Sequence, residues 1–494
     1  MFGGGTAGYD HSTTQAATPR HDCHYLTYIE LGSPVVLGYS PGMSATTLFI
    51  PPHPPVPTQP LPLLAFLRAI RTNALGIWTE AAYQDEVVVR RLMGRCTMLI
   101  NSPDAIHRIL VDNPGNYRRS PASVRVLRPL TGNGLLLSTG DDWRLQRRTI
   151  APALAPRTLP VLARHIVACA GEAVASLASQ AQEPLNLLAA MQNLALDIAG
   201  RSMFSLETRQ VRVDMRRMLT EFSQRHTRLR LLDLVMTPSV PTLGDLGRRR
   251  FQRRWMALID SVVQSRLAEP ASDVPRDLFD LLVAARDPET GAAFPREQLR
   301  DQAATLILAG HETTAVTLFW ALVLLAGVPD EQDRIADESS AIDLTPGNAM
   351  EMMPRLVRTR AVVNETLRLY PPAFTLARQA IADDRAGTIA IPRGSVLMIA
   401  PWVLHRHRRH WRDPDAFDPT RFLPDAPPPP RFAYLPFGAG PRVCVGAQFA
   451  LAEATLVLAT LVRAFRVTLI DPVMPRAVVT TQPERPPMFR LSPR

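Results

Sequence analysis

The stretch Pro436-Phe437-Gly438-Ala439-Gly440-Pro441-Arg442-Val443-Cys444-Val445-Gly446 sits near the C-terminal end of the chain, and an apolar, helix-like run from Ala447 to Phe465 follows it. Glycine lets a backbone approach a flat or bulky group closely and take turns that other residues resist. A cysteine just before a helix N-terminus lies among unpaired N–H groups, which favour its thiolate, the form that binds metal. One cysteine cannot build a structural zinc site, which needs more protein ligands than that. It can supply the single axial ligand of a haem iron, whose in-plane ligands come from the porphyrin. The bland alternative is a Gly-rich loop around a small buried cysteine.

The chain has 494 residues, a formal net charge of +10 and 46% hydrophobic residues. That apolar content supports a sizeable core and excludes a mostly disordered protein. Every basic residue is arginine, spread along the chain without the interleaved aromatics of a nucleic-acid surface. The densest run, Arg248-Arg249-Arg250 with Arg253-Arg254, reads as a solvated helix face. Cys23, Cys96, Cys169 and Cys444 lie far apart, which argues against a disulfide framework or zinc module and fits a reducing compartment. Residues 1–30 show no basic start followed by an apolar core. Residues 35–50 are too short and broken to span a bilayer.

Along the chain, residues 1–50 read as a loose tail with scattered His11, His21 and His24. Pro51 to Pro62 reads as a semi-rigid, proline-rich lead-in. Leu63 to Ile77 has the spacing of an amphipathic helix on a core. Val87 to Ile100, broken by Gly94, predicts a hairpin, and Ser102-Pro103-Asp104 starts a helix. Trp143 and Arg147, four apart on a predicted helix, share a face. From Leu159 to Leu282 the pattern is mostly helical, with a break at Pro238, Pro241 and Gly244.

Gln302 to Gly327 is a long apolar run interrupted by Gly310-His311-Glu312-Thr313-Thr314. In a membrane helix, a central His and Glu are costly. A zinc-protease helix needs a second His four positions after the first, and position 315 is Ala. A long buried helix with a polar notch remains. Another helix, Val357 to Leu369, carries Glu365 and Arg368 at pairing distance and stops before Pro371-Pro372. Short strands are expected at Pro372–Leu376 and Val396–Ile399.

Phe437, Gly440, Arg442, Cys444 and Gly446 fit the order Phe-x-x-Gly-x-Arg-x-Cys-x-Gly without a gap. This resembles the haem-binding loop of the P-450 cytochromes, the haem-thiolate monooxygenases, and the resemblance extends over about residues 60–494. It implies a mainly α fold with small β-sheets, the helical prism of that family. A single haem-thiolate domain at residues 56–494 would follow an N-terminal extension at 1–55. Haem b is the implied cofactor, with Cys444 the axial iron ligand and Phe437 and Gly438 beside it.

Further motifs resemble the family in order. Trp143 and Arg147 correspond to donors for one haem propionate, with Arg378 and Arg442 as further propionate donors. Ala309-Gly310-His311-Glu312-Thr313-Thr314 resembles the oxygen-activation segment: Ala309 leaves room beside the haem, the Thr313 hydroxyl donates toward dioxygen, and Glu312 relays protons from solvent. Glu365, Arg368 and Arg421 correspond to a buried structural triad. Lid residues are expected among Met215, Met218, Leu219, Phe222, Leu229 and Leu232. The implied substrate is an apolar small molecule such as a fatty acid, terpene or steroid, hydroxylated or epoxidised. It would be met by the loop near 115–130, Leu306, Ala309, Thr313, Ala373–Leu376 and Thr480–Pro483.

No flavin or nicotinamide domain follows Cys444. Electrons are therefore expected from a ferredoxin or flavodoxin with its reductase, docking beside Arg431, Arg442, Arg144 and Arg148. The N-terminal membrane helix of animal and fungal members is not seen, so a soluble, cytoplasmic protein is expected. Two rivals stay open. One is a haem-thiolate enzyme driven by peroxide, against which Glu312 and Thr313 argue. The other is a haem sensor or carrier, against which the absence of an output module argues.

Overall fold

The computed structural model describes residues 48–494 except 93, 181–182, 206–208, 227–232, 234–239, 241 and 271. His11, His21, Cys23 and His24 lie outside the described residues, as do Leu229 and Leu232. Residues 49 and 52, within the extension expected at 1–55, bond to the rest of the described fold. The Phe49 carbonyl accepts from the Phe417 N–H at 2.9 Å, and the Pro52 carbonyl accepts from the Tyr370 hydroxyl at 2.6 Å.

The main helices are α1 Leu63–Thr72, α2 Pro121–Thr131, α3 Gly140–Ile150, α4 Leu159–Ala178, α5 Leu187–Phe204, α6 Arg209–Arg225, α7 Leu243–Ala268, α8 Arg296–Gly327, α9 Pro329–Ser340, α10 Val357–Leu369 and α11 Ala447–Ala464. The notched apolar run becomes the central one, α8. Its 32 residues reach about 48 Å at a helical rise. A helix apolar all round must be covered all round. α5, α7, α10 and α11 pack against α8, and Phe319, Trp320, Leu324 and Leu325 are fully buried. By length and composition α8, α11 and Pro156–Ala178 would suffice to cross a membrane, yet 72% of the apolar window of α8 is buried within the fold. α10 has the predicted bounds, because a residue before proline is driven out of helical backbone.

The larger sheet has five strands: β1 Val87–Leu92, β2 Arg95–Ile100, β3 Tyr117–Arg119, β4 Leu376–Ala380 and β5 Val396–Ile399, in the order β1-β2-β5-β4-β3. β1 and β2 are the predicted hairpin, with Val87 opposite Ile100. The strand expected at Pro372–Leu376 instead begins at Leu376, because Pro371 and Pro372 have no N–H to give to a ladder. β3 and β4 run antiparallel and set Arg119 directly opposite Arg378. Beyond α11, β6 Phe465–Leu469 pairs with β9 Phe489–Pro493, and β7 Pro475–Ala477 pairs with β8 Thr481–Pro483.

The arginine run on α7 is only partly solvated. Arg249, Arg250, Arg253 and Arg254 are exposed, but Arg248 shares the inward face of Phe251 and Trp255 and is buried. Its guanidinium donates two bonds to Asp233, at 2.9 and 3.0 Å. Asp245 accepts from both Arg248, at 3.2 Å, and Arg125 of α2, at 2.9 Å.

Candidate active site

A cavity of about 650 Å³ is walled by α8 and by the loop that carries Cys444. The loop's shape comes from its glycines. Gly440 has φ +71°, and a Cβ there would collide with the Leu110 carbonyl oxygen, so the first glycine of the motif is sterically required. The Cys444 N–H then donates to the Phe437 carbonyl at 3.0 Å, folding the loop back on itself. Phe437, Gly438 and Cys444 all line the cavity.

Cys444 opens into the cavity but is otherwise enclosed by protein. Burial raises its thiol above the ordinary value. The Gly446 N–H and the Arg147 guanidinium act in the opposite direction without reversing it. The backbone N–H of Gly446 acts in the direction expected from the sequence, toward the thiolate. Coordination to a metal must complete the deprotonation. Among the described residues no three His, Cys, Asp or Glu side chains gather as a metal site, so Cys444 would act as a lone protein ligand.

Arg476 of β7 and a further four guanidiniums line the same cavity, the four being Arg119, Arg147, Arg378 and Arg442. Arg147 donates to the Val443 carbonyl at 2.8 Å, Arg378 to its neighbour Ala377 at 3.1 Å, and Arg442 to Ser138 at 2.9 Å. Arg442 also lies over the Trp143 ring, 4.4 Å from its centroid. None of the four forms an ion pair with a carboxylate among the described residues. Arg119 Nε and Arg442 Nη1 are buried without a hydrogen-bond partner among the described residues.

Burial pulls Arg119 down to about 9, helped by repulsion from Arg378 and Arg442. Burial likewise pulls Arg442 down to about 10, and Arg378 adds repulsion. Like charges set opposite each other across a ladder are destabilising, and buried cations need a counter-charge. These residues fit a buried dianion such as the two propionates of haem. Arg119 was not singled out in the sequence. Its only signal, a register partner 259 positions away in Arg378, exists once β3 and β4 pair.

The notch of α8 meets the cavity through Ala309, Gly310, Glu312 and Thr313. The Thr313 hydroxyl donates to the Ala309 carbonyl one turn earlier at 2.6 Å. Glu312 Oε1 accepts from the Thr480 hydroxyl at 3.3 Å and from the Gln482 amide. His311 also borders the cavity, and its Nε2 donates to the Gln192 carbonyl of α5 at 3.1 Å. On the same helix Thr314 donates at 3.3 Å to Glu453 of α11, a fully enclosed acid that also borders the cavity. Burial pushes Glu453 up to about 8, so it is largely neutral at pH 7.

Of the expected lid residues, Leu219 and Phe222 line the cavity; Met215 and Met218 are buried elsewhere in the core. Each substrate-contact region expected from the sequence contributes to the wall, including Leu127, Leu306, Ala373 and Pro483.

Behind the loop, Arg368 is fully buried and forks onto Glu365 with two bonds of 2.7 Å. It donates further to the carbonyls of His405, Pro414 and Ala416 at 2.6–2.8 Å. Arg421 approaches Glu365 less closely, at 3.7 Å, and donates to Asp413 at 3.0 Å. His405, to which the sequence assigned no role, joins this network to the cysteine loop. Its Nδ1 donates to the Arg368 carbonyl at 3.2 Å, and its Nε2 accepts from the Leu435 N–H at 2.8 Å. Burial drives His405 down to about 3, which keeps the acceptor nitrogen free of a proton.

The geometry thus defines a haem-thiolate site: one cavity-facing cysteine, an uncompensated arginine cluster and a notched helix opposite. The chain belongs to the cytochrome P450 family, whose model matches residues 54–489. It is 31% identical over 409 residues to cyclooctat-9-en-7-ol 5-monooxygenase of Streptomyces melanosporofaciens, covering 82% of this chain and 88% of the relative. It is also 31% identical over 385 residues to a cytokinin hydroxylase of Arabidopsis thaliana, covering 75% and 74%. The crystal structure of the cytochrome P450DA heme domain superposes with a TM-score of 0.75 at 23% identity, covering 90% of this chain and 98% of that one, and shows the shared fold. The protein is accordingly a haem-binding, haem-thiolate monooxygenase that uses dioxygen, a redox partner and a small-molecule substrate.

An expected result follows for the arginine missed in the sequence. Arg119→Ala removes a charge-assisted donor worth about 2 kcal/mol, so haem should leave on the order of ten- to a hundred-fold more readily. Transfer of haem to apomyoglobin measures this directly. An unchanged transfer rate would remove Arg119 from the cofactor site.

Proposed function

We propose that this monooxygenase hydroxylates or epoxidises an apolar small molecule of fatty-acid, terpene or steroid type. Its electrons come from a separate ferredoxin or flavodoxin with its reductase, in the cytoplasm. The observation that carries the reading is the apolar wall of leucines and Phe222 around the acid–alcohol pair Glu312 and Thr313. Haem, held by Cys444, supplies the dioxygen chemistry when bound. Arg119, Arg147, Arg378, Arg442 and Trp143 would hold its carboxylates, and Phe437, Gly438 and Ala309 would border it in the cavity. The chain's own task is to exclude bulk water, orient the substrate and deliver protons.

Thr313 is the group placed to hand a proton into the cavity, by turning its hydroxyl from the Ala309 carbonyl. Glu312 is the acid next to it. The arginines expected to meet an acidic redox partner differ in their surroundings. Arg442 points into the cavity, and Arg148 is neutralised by Asp287 and Glu289. Arg431 and Arg144 stand exposed, the latter also paired with Asp141.

Thr313→Ala tests the reading. With reductase and dioxygen, most electrons should appear as hydrogen peroxide rather than product, and Thr313→Ser should restore product formation. Product formed with added peroxide but never with reductase and dioxygen would favour the peroxide-driven alternative.

A further inference from the structure

The acid of the notch is held by the C-terminal hairpin. Strands alternate their side chains between two faces, and here the alternation is anchored. Thr481 is fully buried: its N–H and hydroxyl donate to Pro372 and Pro371 at 3.2 and 2.7 Å, and its carbonyl accepts from the Trp320 indole at 2.6 Å. With Thr481 fixed inward, its neighbours Thr480 and Gln482 are set toward the cavity, which both line. There the Gln482 amide donates to Glu312 Oε1, the same oxygen that accepts from Thr480, and the amide also reaches the Thr480 hydroxyl at 3.3 Å. Among the described residues no arginine is paired with Glu312 in an ion pair. These two neutral donors are therefore what orient its carboxylate.

We propose that Gln482 is a positioning residue for the oxygen chemistry: its amide, seated on a hairpin pinned through Thr481, holds Glu312 turned into the cavity beside Thr313. This rests on the reading of Glu312 as the proton-delivering acid. It follows that the hairpin is more than a substrate wall. A molecule that presses on Thr480 and Gln482 also moves the acid, so substrate fit and proton delivery share one contact. A leucine at position 482 has similar bulk but no donor, and would free the carboxylate without opening the wall.

The test uses the full-length, haem-loaded protein, reduced and saturated with carbon monoxide, whose C–O infrared stretch senses polar groups beside the ligand. Glu312→Gln, Gln482→Leu and the double variant are compared with the parent at equal haem content, and Thr480→Val serves as an independent removal of one donor. Gln482→Asn, too short to reach, replaces the leucine variant if that does not fold. The expected result is that Gln482→Leu moves or broadens the band, that Thr480→Val does so more weakly, and that Gln482→Leu adds nothing once Glu312 is Gln. A band that Glu312→Gln moves but Gln482→Leu leaves in place would overturn the proposal while sparing the role of Glu312. A further shift from Gln482→Leu in the Glu312→Gln background would overturn it too, because the glutamine would then act independently. If Glu312→Gln itself leaves the band unmoved, the proton-delivery reading fails and the proposal falls with it.

Discussion

Arg368→Ala is expected to destabilise the protein by about 3–5 kcal/mol or more, the cost of breaking a buried ionic pair from one side. The substitution strands the Glu365 carboxylate in a fully buried site. It also removes the Arg368 donors from the carbonyls of His405, Pro414 and Ala416. Arg421 cannot compensate, since it stands 3.7 Å from Glu365 and is occupied by Asp413. The consequence reaches the site through His405, which bridges the Arg368 carbonyl and the Leu435 N–H at the entry to the cysteine loop. Urea unfolding of the haem-loaded protein should show the lowered midpoint, and purified variant should carry less haem than the parent. A loss below about 1 kcal/mol, with full haem content, would mean that the triad does not support the loop; surface pairs are worth that little.

Glu453→Gln is expected to stabilise the protein in alkaline solution and to change little in acid. Burial raises the folded-state value to about 8 from an ordinary 4.5. A raised carboxyl contributes its full stability below the unfolded value and loses it as pH climbs through the folded one. Between pH 4.5 and about 8 each unit costs roughly 1.4 kcal/mol, so the total is on the order of several kcal/mol. Glutamine mimics the neutral acid at every pH and still accepts from Thr314. Thermal unfolding of parent and variant at pH 5 and pH 9 should therefore give midpoints that coincide at the lower pH and separate at the higher, with the variant more stable. Parallel curves would show that Glu453 keeps its charge and has a counter-charge.

Much of this site was legible in the sequence because its chemistry demands fixed residue types at short spacing. Gly440 must be glycine where the loop crosses Leu110, and the cysteine must follow that turn; such constraints leave a local pattern. Glu365 and Arg368 are likewise one helical turn apart. What stayed hidden depends on contacts between distant segments. Arg119 gained meaning only opposite Arg378, Glu453 only beside Thr314, and the direction of Glu312 only once the hairpin brought Gln482 to it.

Local spacing also misled where burial was decisive. Arg248 looked like one of a solvated run until Phe251 and Trp255 turned its face inward. Helix bounds were easier to read, since Pro371 and Pro372 end α10 by a local steric rule.

The central claim is that Cys444, as thiolate, holds haem iron in the arginine-lined cavity. The most direct measurement is the absorption spectrum of the purified, reduced protein under carbon monoxide. The account predicts a strongly red-shifted Soret band of the thiolate type in the parent, and its replacement by an unshifted band in Cys444→His that retains haem. An unshifted band in the parent, or a red-shifted band that survives in Cys444→His, would contradict it.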